Sequence, residues 1–169
     1  NTSTQTDPGV FWVKASGSRM ADVDRDAFLQ VETAKVLALL DGPALSETEM
    51  RSGLSAATVS PKPTGSPSIE TAMHALCLTL GEAIFVGHTH PTSVNAILCA
   101  EDAQAPFSEV IFPAEALVCG EPVFVPYAPP GQPLASAVRR ALKSSIERRG
   151  EPPRVLLLQN HGIVALGQT

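Results

Sequence analysis

The sequence has 169 residues, of which 44% are hydrophobic and 17% charged, a balance typical of one globular domain with its own core. The formal net charge is −5, and no apolar run approaches the roughly 20 residues that a membrane helix requires. These properties argue against a nucleic-acid-binding protein and against a membrane-spanning protein.

The first third of the chain alternates strand and turn signals. Asn1 to Asp7 is polar and lacks the plan of a signal peptide, and Phe11 to Val13 is predicted to be a short strand. A turn is predicted at residues 15–18. Residues 28–40 fit a pair of strands about as well as a helix, so the sequence leaves their structure open.

Two helices and a loop are predicted in the middle of the chain. Ser46 and Glu49 form a capping box that begins a helix over about residues 47–57. The prolines and glycine of residues 60–67 exclude regular structure and predict a surface loop. The next helix is predicted over residues 68–80, with one apolar stripe at helical spacing.

Strands and helices continue to alternate through the second half of the chain, which indicates an α/β fold. An apolar strand over residues 83–90 ends in Gly-His-Thr-His, and Pro91 stops it and opens a short helix. The remaining predicted elements are a strand over 123–127, an amphipathic helix over 133–149 and two strands over 155–158 and 163–166.

The three cysteines, Cys77, Cys99 and Cys119, are widely spaced and set among apolar neighbours. This pattern predicts buried thiols in a reducing compartment, which makes the cytoplasm the expected location. No CxxC pair is present, so a thiolate metal site is not expected.

The four histidines all lie beside boundaries of predicted elements. His88 and His90 are two residues apart on one strand, so both imidazoles project to one side and can bind a single cation. His161 follows the strand over 155–158 and is the candidate third ligand. Three imidazoles leave one coordination position open, as a Lewis-acid catalyst requires. On spacing alone, a chance HxH pair and a solvated Glu70 that favours the dipole in the first turn of a helix are the more common explanations of this pattern.

Three ordered segments resemble motifs of the class II aldolase and adducin family, the sugar-phosphate aldolases and their epimerase and dehydratase relatives. Residues 67–70, Pro-Ser-Ile-Glu, with His74 are similar to the family's Pro-Ser-x-Glu-x-x-x-His segment. Residues 87–91, Gly-His-Thr-His-Pro, resemble its His-x-His strand end, and residues 159–162, Gln-Asn-His-Gly, resemble its third-ligand turn. The order and separations agree over about residues 1–169.

This resemblance implies a fold and a metal site. The implied fold is α/β, with three α/β/α layers and a mainly antiparallel central sheet, and residues 1–169 form one such domain that is incomplete at both ends. His88, His90 and His161 are implied to bind one divalent metal ion per chain, expected to be Zn²⁺, and Glu70 to be the catalytic acid/base.

The resemblance also implies which residues bind the substrate. The substrate- or phosphate-binding residues are Asn1, Ser16, Gly17 and Ser68. Ile69 stands where several family members have a second hydroxyl residue, and Lys14 adds a charge beside the turn, so the residues leave open whether phosphate is the anchoring group. His74 is expected to be a packing residue behind the site and not a ligand.

The implied function is that of a lyase, a metal-dependent aldolase that cleaves or forms a carbon–carbon bond in a ketose or ketose phosphate through a metal-stabilised enediolate. A small sugar or sugar phosphate is the expected partner. The expected assembly is a homo-oligomer, in the form of a tetramer. A sugar-phosphate 4-epimerase or dehydratase on the same site, and a non-catalytic adducin-like binding or scaffold protein, are the alternatives. The one tyrosine, Tyr127, does not match the position of the family's C-terminal catalytic tyrosine.

Overall fold

The structure is a computed structural model that describes residues 1–59 and 65–168. Residues 60–64 of the predicted surface loop therefore lie outside the described residues. The strands are β1 (Thr2–Asp7), β2 (Val10–Lys14), β3 (Phe28–Glu32), β4 (Phe85–Thr89), β5 (Val123–Val125), β6 (Val155–Leu158) and β7 (Gly162–Gly167). The helices are α1 (Thr33–Ala38), α2 (Glu47–Ala56), α3 (Thr71–Thr79), α4 (Thr92–Leu98), α5 (Pro113–Cys119) and α6 (Gln132–Arg149), with 3₁₀ turns at Met20–Asp22, Arg25–Ala27 and Ala105–Phe107.

The seven strands of the described residues form one sheet in the order β3-β2-β1-β4-β7-β6-β5. Neighbouring strands are antiparallel except for β5 and β6, which are parallel. The prediction of a mainly antiparallel central sheet is confirmed. Among the described residues, no helix is long and apolar enough to cross a membrane.

Strand β6 shows that the sheet is covered on both faces. Leu156 and Leu158 belong to the main core with α3 and α6, whereas Val155 and Leu157 pack with Leu98 of α4. Because strand side chains alternate between faces, these two sets point to opposite sides of the sheet. All four β6 residues are buried, and the three-layer α/β/α architecture is confirmed.

Helix α3 lies at the centre of the main core and begins three residues later than predicted. Residues 71–78 are all buried, so the helix is covered on every side and not only along one apolar stripe. Its start is delayed because Pro67 pairs with Ala15 in an isolated β-bridge, and the Thr71 N–H donates to the Ser68 carbonyl at 2.9 Å. Residues 67–70 thus form a bridge and a turn that bring Glu70 to the helix entrance.

The remaining sequence predictions differ from the structure in a few places. The open segment 28–40 contains both β3 and α1, and the predicted capping box at the start of α2 is present. Helix α5 was not predicted. The prediction of three buried thiols is wrong for Cys99, which is exposed because Leu98 takes the buried position at the end of α4. Cys77 is buried and Cys119 is partly exposed.

Four strands place their ends together at one end of the sheet. Ser3 pairs with Val13, so the start of β1 lies beside the end of β2. Thr2 pairs with Gly87, so the start of β1 also lies beside the end of β4. The pairing of Thr89 with Ile163 adds the start of β7. This end of the sheet therefore collects the predicted site residues from distant parts of the chain.

Candidate metal centre

Four side chains converge at this end of the sheet. His88, His90, His161 and Glu70 each offer one ligand atom, and the four atoms all lie within 4.8 Å of one another. The Nε2 atom of His88 lies 3.0 Å from that of His90 and 3.2 Å from that of His161. Imidazole nitrogens about 2.0–2.1 Å from one tetrahedral ion lie roughly 3.3 Å apart, so these distances fit one shared cation.

The geometry of β4 directs His88 into this cluster. His88 is 2% exposed, and its Nδ1–H donates to the Ile163 carbonyl of the neighbouring strand at 3.0 Å. Because a carbonyl oxygen can only accept, a neutral His88 carries its proton on Nδ1 and leaves the Nε2 lone pair free for the cluster. Burial, followed by the charges of His88 and His161, lowers the pKa of His90, which also favours its neutral, ligating form.

Helix α4 holds the turn that carries His161. Asn95 Nδ2 donates to the His161 carbonyl at 2.9 Å, and the Asn160 N–H donates to the Leu98 carbonyl at 3.1 Å. Asn160 itself has a φ of 55°, a left-handed conformation that asparagine tolerates better than most residues. Sequence patterns could not identify the role of Asn95, since its partner lies 66 residues away.

Gly162 begins β7 beside the end of β4. A Cβ atom at this position would lie 2.5 Å from the Thr89 carbonyl oxygen, 2.6 Å from His90 Cδ2 and 3.4 Å from His88 Cε1. The contact with the Thr89 carbonyl oxygen is with the backbone, so a side-chain rotation cannot relieve it. A glycine after His161 therefore keeps the two strands close enough for the three imidazoles to meet.

We expect Gly162→Ala to weaken metal binding by at least about 10-fold and to destabilise the fold by about 1–3 kcal/mol, because the new methyl group displaces His90. Gly87→Ala is the matched control, since Gly87 also adjoins a ligand histidine but a Cβ there meets nothing within 4 Å. Metal titration and thermal unfolding of both variants check this. Equal metal affinity in the two variants would contradict it.

Glu70 lies at the edge of the imidazole cluster with 15% of its side chain exposed. Its Oε1 atom is 2.8 Å from His161 Nε2 and 3.5 Å from His88 Nε2. Burial raises the pKa of this carboxyl group, but when His161 and His88 are protonated, in the absence of metal, their hydrogen bonds and positive charges together outweigh burial and hold the pKa well below its usual range. The carboxylate is therefore ionised and able to accept a proton.

His74 lies outside this group of four donors. It is fully buried on α3, and its Nδ1 atom lies 2.7 Å from the Ser3 hydroxyl of β1. Burial, with a smaller contribution from the charge of His88, lowers the pKa of His74 to about 3. The ring is therefore neutral in the folded protein and joins α3 to the sheet behind the cluster.

The buried His74 predicts a loss of stability in acid. Between pH 6.5, the ordinary pKa of histidine, and about pH 3, this ring is protonated only in the unfolded chain. The free energy of unfolding therefore decreases as the pH is lowered, by up to about 1.4 kcal/mol per pH unit. His74→Gln is neutral in both states and lacks this contribution. Urea unfolding at pH 6.5 and 4.5, with chelator present, should show a loss about 2 kcal/mol larger in the parent protein. Equal losses would exclude this role for His74.

The residues predicted to bind the substrate lie next to strands at this end of the sheet, Asn1 before β1 and Ser16 and Gly17 in the turn after β2, or, for Ser68, in the segment before α3. The Asn1 carbonyl accepts from the His88 N–H at 2.9 Å, and the bridge between Ala15 and Pro67 sets Ser16 beside the segment that carries Ser68. The Ser16 N–H already donates to the Ser66 carbonyl at 2.9 Å, so only the exposed Ser16 hydroxyl remains for a substrate.

Lys14 is almost fully buried beneath the turn that carries Ser16 and Gly17, with 7% of its surface exposed. Its Nζ atom donates to the Ala15 carbonyl at 2.8 Å and to the Ser18 carbonyl at 2.6 Å. Burial lowers the pKa of Lys14 from its ordinary value. The ammonium group thus shapes the turn from inside and places its charge behind the exposed residues.

Sequence comparison with known proteins identifies a family and a relative of this chain. The family model described as "Class II Aldolase and Adducin N-terminal domain" matches residues 1–169. The "Uncharacterized oxidoreductase YuxG" of Bacillus subtilis is 28% identical over 160 residues, which cover 95% of this chain and 21% of that protein. The chain thus spans about a fifth of the length of this relative, whose name describes the whole protein.

Two solved structures illustrate the shared fold. The N-terminal class II aldolase domain of a conserved protein from Thermoplasma acidophilum is 27% identical, with a TM-score of 0.73 over 99% of this chain and 73% of that one. An L-fuculose-1-phosphate aldolase from Thermus thermophilus is 19% identical, with a TM-score of 0.61 over 99% of this chain and 68% of that one, and supports the fold alone. Because the family model covers every residue of the sequence, the chain belongs to the class II aldolase and adducin N-terminal domain family.

Proposed function

We propose that this protein is a metal-dependent aldehyde-lyase that cleaves or forms a carbon–carbon bond in a ketose or ketose phosphate. The observation that carries the proposal is the convergence of three imidazole Nε2 atoms beside an ionised, largely buried carboxylate. A scaffold protein has no need for such a donor set. The adjoining turn at Ser16 and Gly17 offers a place for the tail of a sugar at the same end of the sheet.

In this proposal, His88, His90 and His161 hold one divalent cation. We favour Zn²⁺, because imidazole nitrogens in a tetrahedral arrangement are typical zinc ligands. When bound, the cation would act as a Lewis acid that polarises the carbonyl and hydroxyl oxygens of the substrate. The Nδ1 hydrogen bond from His88 to the Ile163 carbonyl would fix the orientation of the most buried ligand.

Glu70 is the acid/base residue in this proposal. Its carboxylate would take the proton from, or return it to, the substrate carbon at which the bond is broken or formed. Two features of the structure support this role: Oε1 lies within 2.8–3.5 Å of two imidazoles, and the carboxylate is largely buried beside the cluster of three histidines. Tyr127, 57% exposed on the segment that follows β5, lies outside the cluster, so we assign it no step.

The substrate tail is proposed to bind at Asn1, Ser16, Gly17 and Ser68. The buried Lys14 ammonium group lies directly behind the turn, because it donates to the Ala15 and Ser18 carbonyls on either side of Ser16 and Gly17. A positive charge in a partly dry environment favours an anionic group in front of it. This arrangement supports a phosphorylated ketose over the neutral sugar.

The test of the proposed reaction is a substrate panel for the metal-loaded protein. Ketose phosphates and the corresponding free ketoses are incubated with enzyme, released aldehyde is trapped, and the remaining sugar is identified by NMR. We expect aldehyde release from a ketose phosphate. An epimerised or dehydrated sugar without free aldehyde would instead assign the epimerase or dehydratase alternative, and binding without any conversion would assign a non-catalytic role.

A further inference from the structure

A cleft of about 420 Å³ lies at one edge of the sheet, beside strand β5. Its walls are β5, the second half of α6, and the 3₁₀ turn over Ala105–Phe107 with the residues that flank it. In the sheet, β5 is three strands away from β4, and none of the residues that line the cleft belongs to the candidate metal centre. The cleft is therefore a separate concave surface that the proposed reaction does not use.

The floor of the cleft is apolar. Leu157 of β6 is 3% exposed, and the partly buried rings of Phe107 and Phe124 pack against the small hydrophobic cluster that contains it. Clefts of about 300–1,000 Å³ with an apolar lining and a few polar groups are typical binding sites for small molecules. This floor suits a flat apolar group, which an aromatic ring provides.

One wall of the cleft carries a buried hydroxyl group without a partner. Ser145 lines the cleft from α6 and is 1% exposed, and its Oγ atom has no hydrogen-bond partner among the described residues. A serine inside a helix usually points to solvent or donates to the carbonyl four residues earlier. The Ser145 hydroxyl does neither, and a rotation about χ1 turns it without moving the helix. It is therefore available to donate to a group that enters the cleft.

Arg148 supplies positive charge on the same face of α6, three residues after Ser145. It lines the cleft, and its side chain is 61% exposed. Glu121 also lines the cleft, but its Oε1 atom lies 2.5 Å from Arg149 Nη2 and 3.7 Å from Arg148 Nη2. Because Arg149 is the closer partner and also donates to the Glu121 carbonyl, the Arg148 guanidinium keeps N–H groups for an anion.

We propose that this cleft binds a small aromatic carboxylate. The ring lies on the apolar floor, and the two carboxylate oxygens accept from the Arg148 guanidinium and the Ser145 hydroxyl. The planar guanidinium matches the geometry of a carboxylate, and hydrogen bonds between charged groups are stronger than those between neutral groups. An inorganic anion would leave the apolar floor uncovered, and a neutral aromatic molecule would give Arg148 no counter-ion.

The test uses benzoate as the probe and benzamide as the matched ligand, since benzamide has the same ring and nearly the same shape but no charge. Each is titrated into the zinc-loaded protein labelled with ¹⁵N, and the amide resonances are followed by NMR. We expect benzoate to shift the amides of residues 104–108, 121–125 and 144–148. Benzamide should bind at least about 10-fold more weakly, because it cannot form a charge-assisted hydrogen bond with Arg148.

Two variants test the side chains that the proposal names. Arg148→Gln should weaken benzoate binding by about 10-fold and leave benzamide binding nearly unchanged. Ser145→Ala removes a hydroxyl that has no partner in the fold, so it should weaken benzoate binding by about 5-fold without lowering the thermal stability. Lys143→Gln is the matched control, since it removes an exposed charge from the same helix outside the cleft, and it should bind benzoate like the parent protein.

Four results would each overturn the proposal. They are no shift with benzoate in large excess, equal affinities for benzoate and benzamide, unchanged benzoate affinity in Arg148→Gln or Ser145→Ala, and shifts confined to residues 88–90 and 161. The last result would place the anion at the metal. The lining residues of the cleft take no part in the metal centre, so this proposal can fail while the proposed function holds.

Discussion

Replacing Glu70 with Gln is expected to lower kcat by about 10²–10⁴-fold while the protein keeps its metal, because the amide preserves the shape of the side chain but cannot accept a proton. The carboxylate is positioned for proton transfer beside the cluster, since its Oε1 atom lies 2.8 Å from His161 Nε2 and only 15% of its side chain is exposed. The measurement is turnover on the preferred substrate, alongside the metal content of the same sample.

The matched control for Glu70→Gln is Glu115→Gln, since Glu115 lies on α5, outside the cluster of four donors. This variant should retain the activity of the parent protein. Near-normal turnover by Glu70→Gln would assign the proton transfer to another group. Loss of the metal from Glu70→Gln would instead make Glu70 a fourth ligand, and the assignment of Glu70 as acid/base would be wrong.

Removal of any one of the three imidazoles is expected to strip the metal and abolish turnover. His90→Ala is the cleanest of these variants, because His90 is exposed and its removal costs little packing. Loss of a residue that only hydrogen-bonds to a metal ligand weakens metal binding by about 10–100-fold, so loss of a ligand itself should weaken binding by more than that.

The control for these ligand variants is His74→Gln, which changes the one histidine outside the cluster. It should keep metal at the level of the parent protein near neutral pH, because His74 contacts Ser3 and offers no atom to the group of four. Metal content by elemental analysis, with circular dichroism to verify folding, separates the variants. Full metal retention in all three of the ligand variants would refute the assignment.

The sequence alone could predict that His88 and His90 lie together, because the alternation of side chains along a strand is a local rule. Two residues on one strand face the same side, so His88 and His90 could be paired without knowledge of the fold. His161 needed one further assumption, that the strand over 155–158 lies near β4 in the sheet. The resemblance of three ordered motifs supplied this assumption, and β7 in fact lies between β4 and β6.

Other features could not be derived because they depend on contacts between distant residues. Nothing beside Gly162 in the sequence indicates that a Cβ there would meet the Thr89 carbonyl, 73 residues earlier in the chain. The same holds for the Ser16 N–H, which donates to the Ser66 carbonyl of a distant segment. Local patterns identify candidate groups, and tertiary structure decides which of them remain available.

Helix α3 illustrates a similar limit for the core. Periodicity predicted one apolar stripe, yet all of residues 71–78 are buried, including the polar Thr71 and His74. A helix in the middle of a three-layer fold is covered on several sides, and a pattern that assumes one solvent-facing side cannot detect this. The delayed start of α3 also follows from tertiary structure, since Pro67 is held by Ala15.

X-ray absorption spectroscopy of the zinc-loaded protein measures whether three imidazoles share one cation. We expect about one zinc per chain with three nitrogen ligands of imidazole type at about 2.0–2.1 Å, completed by oxygen. This environment should be lost on His88→Ala, His90→Ala or His161→Ala. A zinc environment with fewer than two imidazoles, or with sulfur ligands from Cys99 or Cys119, would show that the three histidines do not form the metal site.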